Sequence, residues 1–317
     1  MFRKSKLFTV ATLFLAFSFL LTACGAQDGK DYTILTGGEQ GTYYPLGSAL
    51  AQVINRNVDE ISATAVVTGA SVVNVNQLKD KKGQLAFVQN DIAYYATEGL
   101  VQFNEKIESF SAIASLYPEV VHIVTAADSG IQNVEDLRGK RVAVGDQGSG
   151  VEANTKQILE VHGITYADIR VEYMAFGDAA NGIQDGNIDA AFVTAGTPTG
   201  AIEALKAVKP VRIVSIRADK IKELTERYPY YTAFTMPKEL YDRNEDATTV
   251  AVQAMLVVSD EVSEDDAYAI TKALFENLET FGNTHQRGKD ISLESALNGV
   301  SIKLHPGAQR YYDEVLK

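Results

Sequence analysis

From residue 32 onward the chain repeats one pattern: a short apolar run, a polar or glycine-rich turn, then an apolar stripe at helical spacing. Tyr32 to Thr36 predicts a strand, and Gly37 to Gly41 a turn. Leu46, Ala49, Leu50, Val53 and Ile54 then mark a helix whose first turn accepts Pro45. Ser62 to Val67 is small and β-branched, as a buried parallel strand should be. It leads through Thr68-Gly69-Ala70-Ser71 into a helix marked by Val72, Val73, Val75 and Leu78, which Asp80 to Gly83 ends. A third strand, Leu85 to Val88, stops at Gln89-Asn90-Asp91. Ile113 to Thr125, interrupted by Pro118, is long for one strand and predicts a chain crossing between two lobes.

Beyond residue 136 the design recurs. Asp136-Leu137-Arg138-Gly139-Lys140 leads into a strand, Arg141 to Val144, then the turn Gly145 to Gly150, then a helix to His162 that Gly163 closes. A strand from Ile169 to Tyr173, a helix from Asp178 to Gln184 and a strand from Ala190 to Val193 follow, and Thr194 to Thr199 forms the next turn. Gly83 to Val88 resembles Gly186 to Val193, each a glycine-ended helix followed by a strand, which supports two similar lobes. Val211 to Ile216 continues the second sheet, and Tyr228 to Tyr231 returns the chain. The run Thr248 to Val258 is expected to complete the first lobe's sheet, and helices over Ser263 to Phe281 and Gly307 to Leu316 finish the molecule.

The first residues change the picture of where this body works. Arg3, Lys4 and Lys6 head a nearly continuous apolar run, Leu7 to Leu21, which reads as a secretory signal. Leu21-Thr22-Ala23-Cys24-Gly25 resembles a bacterial lipobox, with Cys24, the sole cysteine, as the lipidated residue; an ordinary signal peptide or a membrane anchor is the alternative. Residues 1–23 are then a leader and 24–31 a tether. Removing the leader leaves 26 Lys and Arg against 41 Asp and Glu, a net charge of −15 that repels nucleic acid and anionic lipid. No second apolar stretch approaches the ~18–20 residues that cross a bilayer. The expectation is a soluble, monomeric body on a lipid anchor, outside the cytoplasm.

Catalytic patterns fail on inspection. Gly69-Ala70-Ser71-Val72-Val73 lacks the final glycine of a nucleophile elbow. His122, His162, His285 and His305 have no metal spacing, the loop from Asp185 lacks the glycine and glutamate of a calcium site, and neither glycine turn carries a phosphate-loop lysine. No enzyme activity, cofactor or metal is expected. What remains is a set of turns after strands, where open α/β sheets bind ligands. None contains Arg or Lys, so a carboxylate would be held by backbone N–H groups and by Thr42, Ser71 or Ser149. Each turn also has a plainer reading. The glycine turn before Tyr43 suits a tight connection, Ser149 with Glu152 makes a capping box, Tyr43 and Tyr44 suit a core, and Asp91 suits a helix cap as well as a ligand ammonium.

Taken together, Thr36-Gly37-Gly38, Gly41-Thr42-Tyr43-Tyr44-Pro45-Leu46-Gly47, Ser71 with Asn74, and Ala86 to Asp91 resemble the TAXI family of solute receptors. These serve one branch of the tripartite ATP-independent periplasmic (TRAP) transporters. Leu116 to Glu119, Asp136 to Gly145, Gly148-Ser149-Gly150, Asp189 to Val193 and Gly196 to Gly200 extend the resemblance over nearly the whole chain. Glu39 departs from it, where small or neutral residues are common. The resemblance implies an α/β fold of periplasmic-binding-protein type, class II-like, with two Rossmann-like lobes joined by hinge strands. Lobe 1 would take residues 32–118 and 233–317, and lobe 2 residues 119–232. It implies a small carboxylate or amino acid such as glutamate or glutamine as ligand, and TRAP membrane permease subunits as partners. Thr42, Tyr43, Ser71, Asn74, Gln89, Asp91, Ser149, Gly150 and Thr197 are the cleft residues that it implies. Two other readings stay open: a ligand-sensing lipoprotein acting through a membrane signalling partner, and an extracytoplasmic enzyme on the same fold.

Overall fold

A computed structural model describes residues 29–243 and 245–316. The leader, Cys24 and all of the tether but its last three residues lie outside the described residues. Strands β1 (Lys30–Leu35), β2 (Ile61–Val66) and β3 (Leu85–Gln89) alternate with helices α1 (Tyr43–Asn57), α2 (Ser71–Lys79) and α3 (Asn90–Glu98). The tether's last residues thus already belong to β1, where Lys30 Nζ pairs with Asp266 at 2.7 Å. The long strand β4 (Phe110–Ala126) leads to β5 (Arg141–Ala143), α4 (Gly150–Val161), β6 (Arg170–Glu172), α5 (Phe176–Gln184) and β7 (Ala190–Ala195). Then come α6 (Gly200–Val208), β8 (Val211–Ile213), α7 (Ala218–Arg227), β9 (Thr232–Met236) and β10 (Ala247–Ser259). Helices α8 (Glu264–Glu276), α9 (Leu278–Thr284) and α10 (Pro306–Val315) close the chain.

The strands join in the order β2-β1-β3-β10-β4-β7-β5-β6, with β8 on β4 and β9 on β10. Outer pairs are parallel, as strand-helix-strand repeats require, while β4 and β10 run antiparallel to each other through the middle. Their register slips between Gln253 and Met255, opposite Pro118, which has no N–H to give to the ladder. This irregularity divides two halves. Ile113 and Leu256 join the apolar cluster of α1, α8, α9 and α10 on one sheet face, and α2 and α3 cover the other face. Past Pro118, Val121 and Val252 pack with α4 and α7, and Val120 and Ala251 with α5 and α6. Each half is therefore a sheet with helices on both faces.

That packing bears on where the two lobes divide. Met236, Tyr241 and Ala247 share one cluster with Ile202 and Val193, so these residues lie against the second half and not the first. The reason is antiparallel pairing: β10 must travel beside β4, and its early residues start at β4's far end. We propose lobe limits of 119–252 for the second lobe, with the remaining described residues in the first.

Candidate functional site

Three helices begin at one place between the lobes: α1 at Tyr43, α2 at Ser71 and α4 at Gly150. Each follows a turn that the strand before it delivers to the sheet's carboxyl end, and the N–H groups of each first turn have no partner within their own helix. They surround a cavity of about 40 Å³. That exceeds the ~10–15 Å³ one water needs and suits a small molecule. Its walls include Gly37, Gly41, Thr42, Tyr43, Ala70, Ser71 and Gln89 from one side, Glu119 from β4, and Asp146, Ser149, Gly150, Phe176 and Thr194 from the other.

The lobes are closed on each other. Gly196 N–H donates to Thr42 Oγ1 at 3.1 Å, Ala201 N–H to the Gln40 carbonyl at 3.2 Å, and Val73 N–H to the Gly148 carbonyl at 3.2 Å. Beside the cavity, Gln89 Nε2 donates to Asn154 Oδ1 at 2.9 Å, and Asn154 Nδ2 donates to Asp91 Oδ2 at 3.0 Å and to the Tyr231 hydroxyl at 2.9 Å. Gly150 makes this approach possible, because a Cβ there would sit 1.4 Å from Gln89 Oε1.

The nine residues expected in the cleft divide into two groups. Thr42, Tyr43, Ser71, Gln89, Ser149 and Gly150 line the cavity. Tyr43 serves both readings of it: its ring packs 5.4 Å from Phe87 in the core, and its hydroxyl donates to Glu119 Oε2 at 2.6 Å. Ser71 Oγ accepts from Gln89 N–H at 3.1 Å. Ser149 caps α4 by accepting from Glu152 N–H at 3.2 Å. The Glu152 carboxylate, however, accepts from Gly148 N–H at 3.0 Å, so the reciprocal half of the capping box is displaced by one residue.

Asn74, Asp91 and Thr197 are buried but stand outside the cavity wall. Asn74 Nδ2 donates to the Thr36 and Phe87 carbonyls at 2.7 and 2.8 Å, and its Oδ1 accepts from Thr68 Oγ1, which ties the glycine turn to β3. Asp91 sits in the first turn of α3 behind Gln89, and its Oδ1 has no partner. Burial pushes its carboxyl up to about 7, against the pull of hydrogen bonds from Ile92 and Asn154.

Glu119, Asp146, Phe176 and Thr194 complete the wall and were not expected there. Glu119 is 2% exposed, and burial raises its carboxyl to about 8 although Tyr43 pulls it down. A lone acid inside a 17-residue strand, whose other titratable side chains are the equally buried Tyr117 and His122, was the available signal. Asp146 is raised by partial burial and then by Asp178. Gln89 Oε1 and Thr194 Oγ1, both on the wall, are buried without partners. The cavity thus offers N–H groups and helix dipoles for an anion on several sides, and a buried carboxyl on another. Among the described residues no group of three His, Cys, Asp or Glu is arranged for a metal, and no helix is long and apolar enough to cross a membrane.

Two α/β lobes, a pair of crossing strands and a cavity between strand ends define the architecture of periplasmic binding proteins. A Bordetella bronchiseptica RB50 structure matches at a TM-score of 0.55 with 15% identity, over 90% of this chain and 83% of that one. A Listeria monocytogenes protein proposed to belong to an L-cystine ABC transporter matches at 0.53 with 14% identity, over 84% of this chain and 98% of that one. The periplasmic aliphatic sulphonate-binding protein SsuA of Escherichia coli is 19% identical over 90% and 83%, at a TM-score of 0.48. At such identities the first two matches show a shared fold. The chain itself belongs to the NMT1-like family, whose sequence model matches residues 34–315.

Proposed function

We propose that this protein is an extracytoplasmic solute receptor of a TAXI-type TRAP transporter, anchored by lipid at Cys24. It closes its two lobes over a small carboxylate or amino acid and delivers it to an ion-gradient-driven permease. The observation that carries this reading is the convergence of three helix starts from both lobes on one small cavity whose wall holds unpartnered polar atoms. A carboxylate placed there meets first-turn N–H groups of α1, α2 and α4 together with Ser71 Oγ. Closure removes water and strengthens each of these hydrogen bonds. The family match and the fold support binding as the task. Leu116 to Glu119 and Gly148 to Gly150, two of the stretches that resemble TAXI receptors, reach the cavity wall at Glu119 and at Ser149 and Gly150.

A thermal-shift screen of the purified protein against amino acids and dicarboxylates tests the reading. A true ligand at a hundred times its Kd should stabilise the folded form by about 2.7 kcal/mol. If no small solute shifts the transition, the cleft is not a receptor site for this class.

A further inference from the structure

The cavity has an asymmetry that the receptor reading leaves unused. No Lys or Arg stands on its wall, yet one wall residue is an almost fully buried acid. We propose that Glu119 is the specificity-determining residue of the cleft: it takes the ligand's ammonium group, so that the site selects zwitterionic amino acids over dicarboxylates of the same length. This deepens the proposed function and rests on it.

Glu119 follows Pro118, at the register slip where β4 passes from one lobe to the other. Its place therefore depends on neither lobe alone. Tyr43 fixes the carboxyl by donating to Oε2 at 2.6 Å, and the Tyr43 ring is in turn held against Phe87. Among the described residues no other group donates to this carboxyl, so Oε1 is left as an acceptor on the cavity wall. A carboxylate buried with one neutral partner is costly, and a cation brought by the ligand repairs it. The other acids are poorly placed for that work. Asp91 stands behind Gln89 with Oδ2 committed to Asn154, and Asp146 is only partly buried and feels the charge of Asp178.

With Tyr43 as its donor, burial holds this carboxyl at about 8, so that it favours the neutral form at pH 7. An arriving ammonium lowers it and makes the pair charged, which is a gain realised only with a ligand of that sign. A neutral Glu119 could instead donate to a second ligand carboxylate, and then dicarboxylates would bind as well as amino acids.

Calorimetry of the full protein with L-glutamate against glutarate, and L-aspartate against succinate, separates the two. Within each pair the carboxylates match and the ammonium differs. The amino acid should bind the wild type on the order of 100-fold more tightly than its deaminated partner. Glu119→Gln should weaken the amino acid by about the same factor and bring the pair within roughly tenfold. Equal binding of the wild type within both pairs, or a preference that survives Glu119→Gln, overturns the assignment while the receptor reading stands. The wild-type comparison needs no variant and decides the matter even if Glu119→Gln does not fold. Absence of binding by every amino acid and dicarboxylate overturns the receptor reading and this inference with it.

Discussion

Asn154 Nδ2 donates across the cleft to Asp91 Oδ2 at 3.0 Å, so an amide on α4 of the second lobe satisfies a buried acid on α3 of the first. The same side chain accepts from Gln89 and donates to Tyr231, whose hydroxyl donates to Gln157 Oε1 at 2.6 Å. Gln157 Nε2 then donates to Tyr95 on α3 at 3.1 Å. The result is a polar latch that exists only while the lobes touch. It lies beside the cavity, and of its members Gln89 alone stands on the wall.

Asn154→Ala removes the centre of that latch. Gln89 Nε2 and Asp91 Oδ2 would remain buried without partners in the closed form, at a cost of about 1–3 kcal/mol each. Ligand affinity by calorimetry should fall at least ~10-fold. Unchanged affinity would mean that the lobes close without the latch.

The latch should also respond to pH. The Asp91 carboxyl is held at about 7 in the folded protein, against 3.8 ordinarily, so the folded state binds an extra proton between these values. Stability from this group is therefore full at low pH and is lost as pH rises through about 7. Asp91→Asn removes the slope. Melting temperatures of variant and wild type should converge near pH 4 and separate by pH 8, with the variant higher. A constant offset across that range would rule out titration of Asp91.

Much of this was legible before any coordinates. Apolar runs ending in glycine or hydroxyl-rich turns announced β1, β2, β3, β5 and β7, and the Pro118 interruption announced the crossing. Six of the nine expected cleft residues stand on the cavity wall because turns after parallel strands converge there as a matter of topology. What was hidden depended on partners distant in sequence. Asn74 looks like a ligand donor, but two backbone carbonyls 38 and 13 residues away claim its amide. β9 carries an exposed, weakly alternating pattern and was invisible until β10 paired with it. Helix α7 buries little beyond Leu224, so its apolar stripe was too thin to read.

Gly150→Ala places a methyl against Gln89 Oε1 at the lobe interface. The two residues lie in different lobes, so the clash opposes closure while each lobe keeps its own core. Overpacking of this kind costs about 1–3 kcal/mol, and ligand Kd should rise by about 10- to 100-fold. The urea midpoint of the ligand-free protein should barely move. A large drop in that midpoint would place the strain within the fold.

Ala70, on the cavity wall, has φ of 65° and ψ of −150°, a region that glycine alone occupies without strain. Asn74 N–H, bonded to the Ala70 carbonyl at 2.8 Å, and Thr68 Oγ1, accepting from Ala70 N–H at 3.1 Å, hold it there. Ala70→Gly should raise unfolding free energy by about 1 kcal/mol in urea titrations, the relief of strain exceeding the added chain entropy. A loss of stability would show that the Ala70 methyl matters more than its backbone.

Closure over a small solute is the central claim, and small-angle X-ray scattering of the purified protein with and without saturating L-glutamate tests it directly. A fall in the radius of gyration on adding ligand, which Gly150→Ala shifts to about 10- to 100-fold higher ligand concentration, is the expected result. Binding of L-glutamate with no change in the radius of gyration would contradict a receptor that works by closing its lobes.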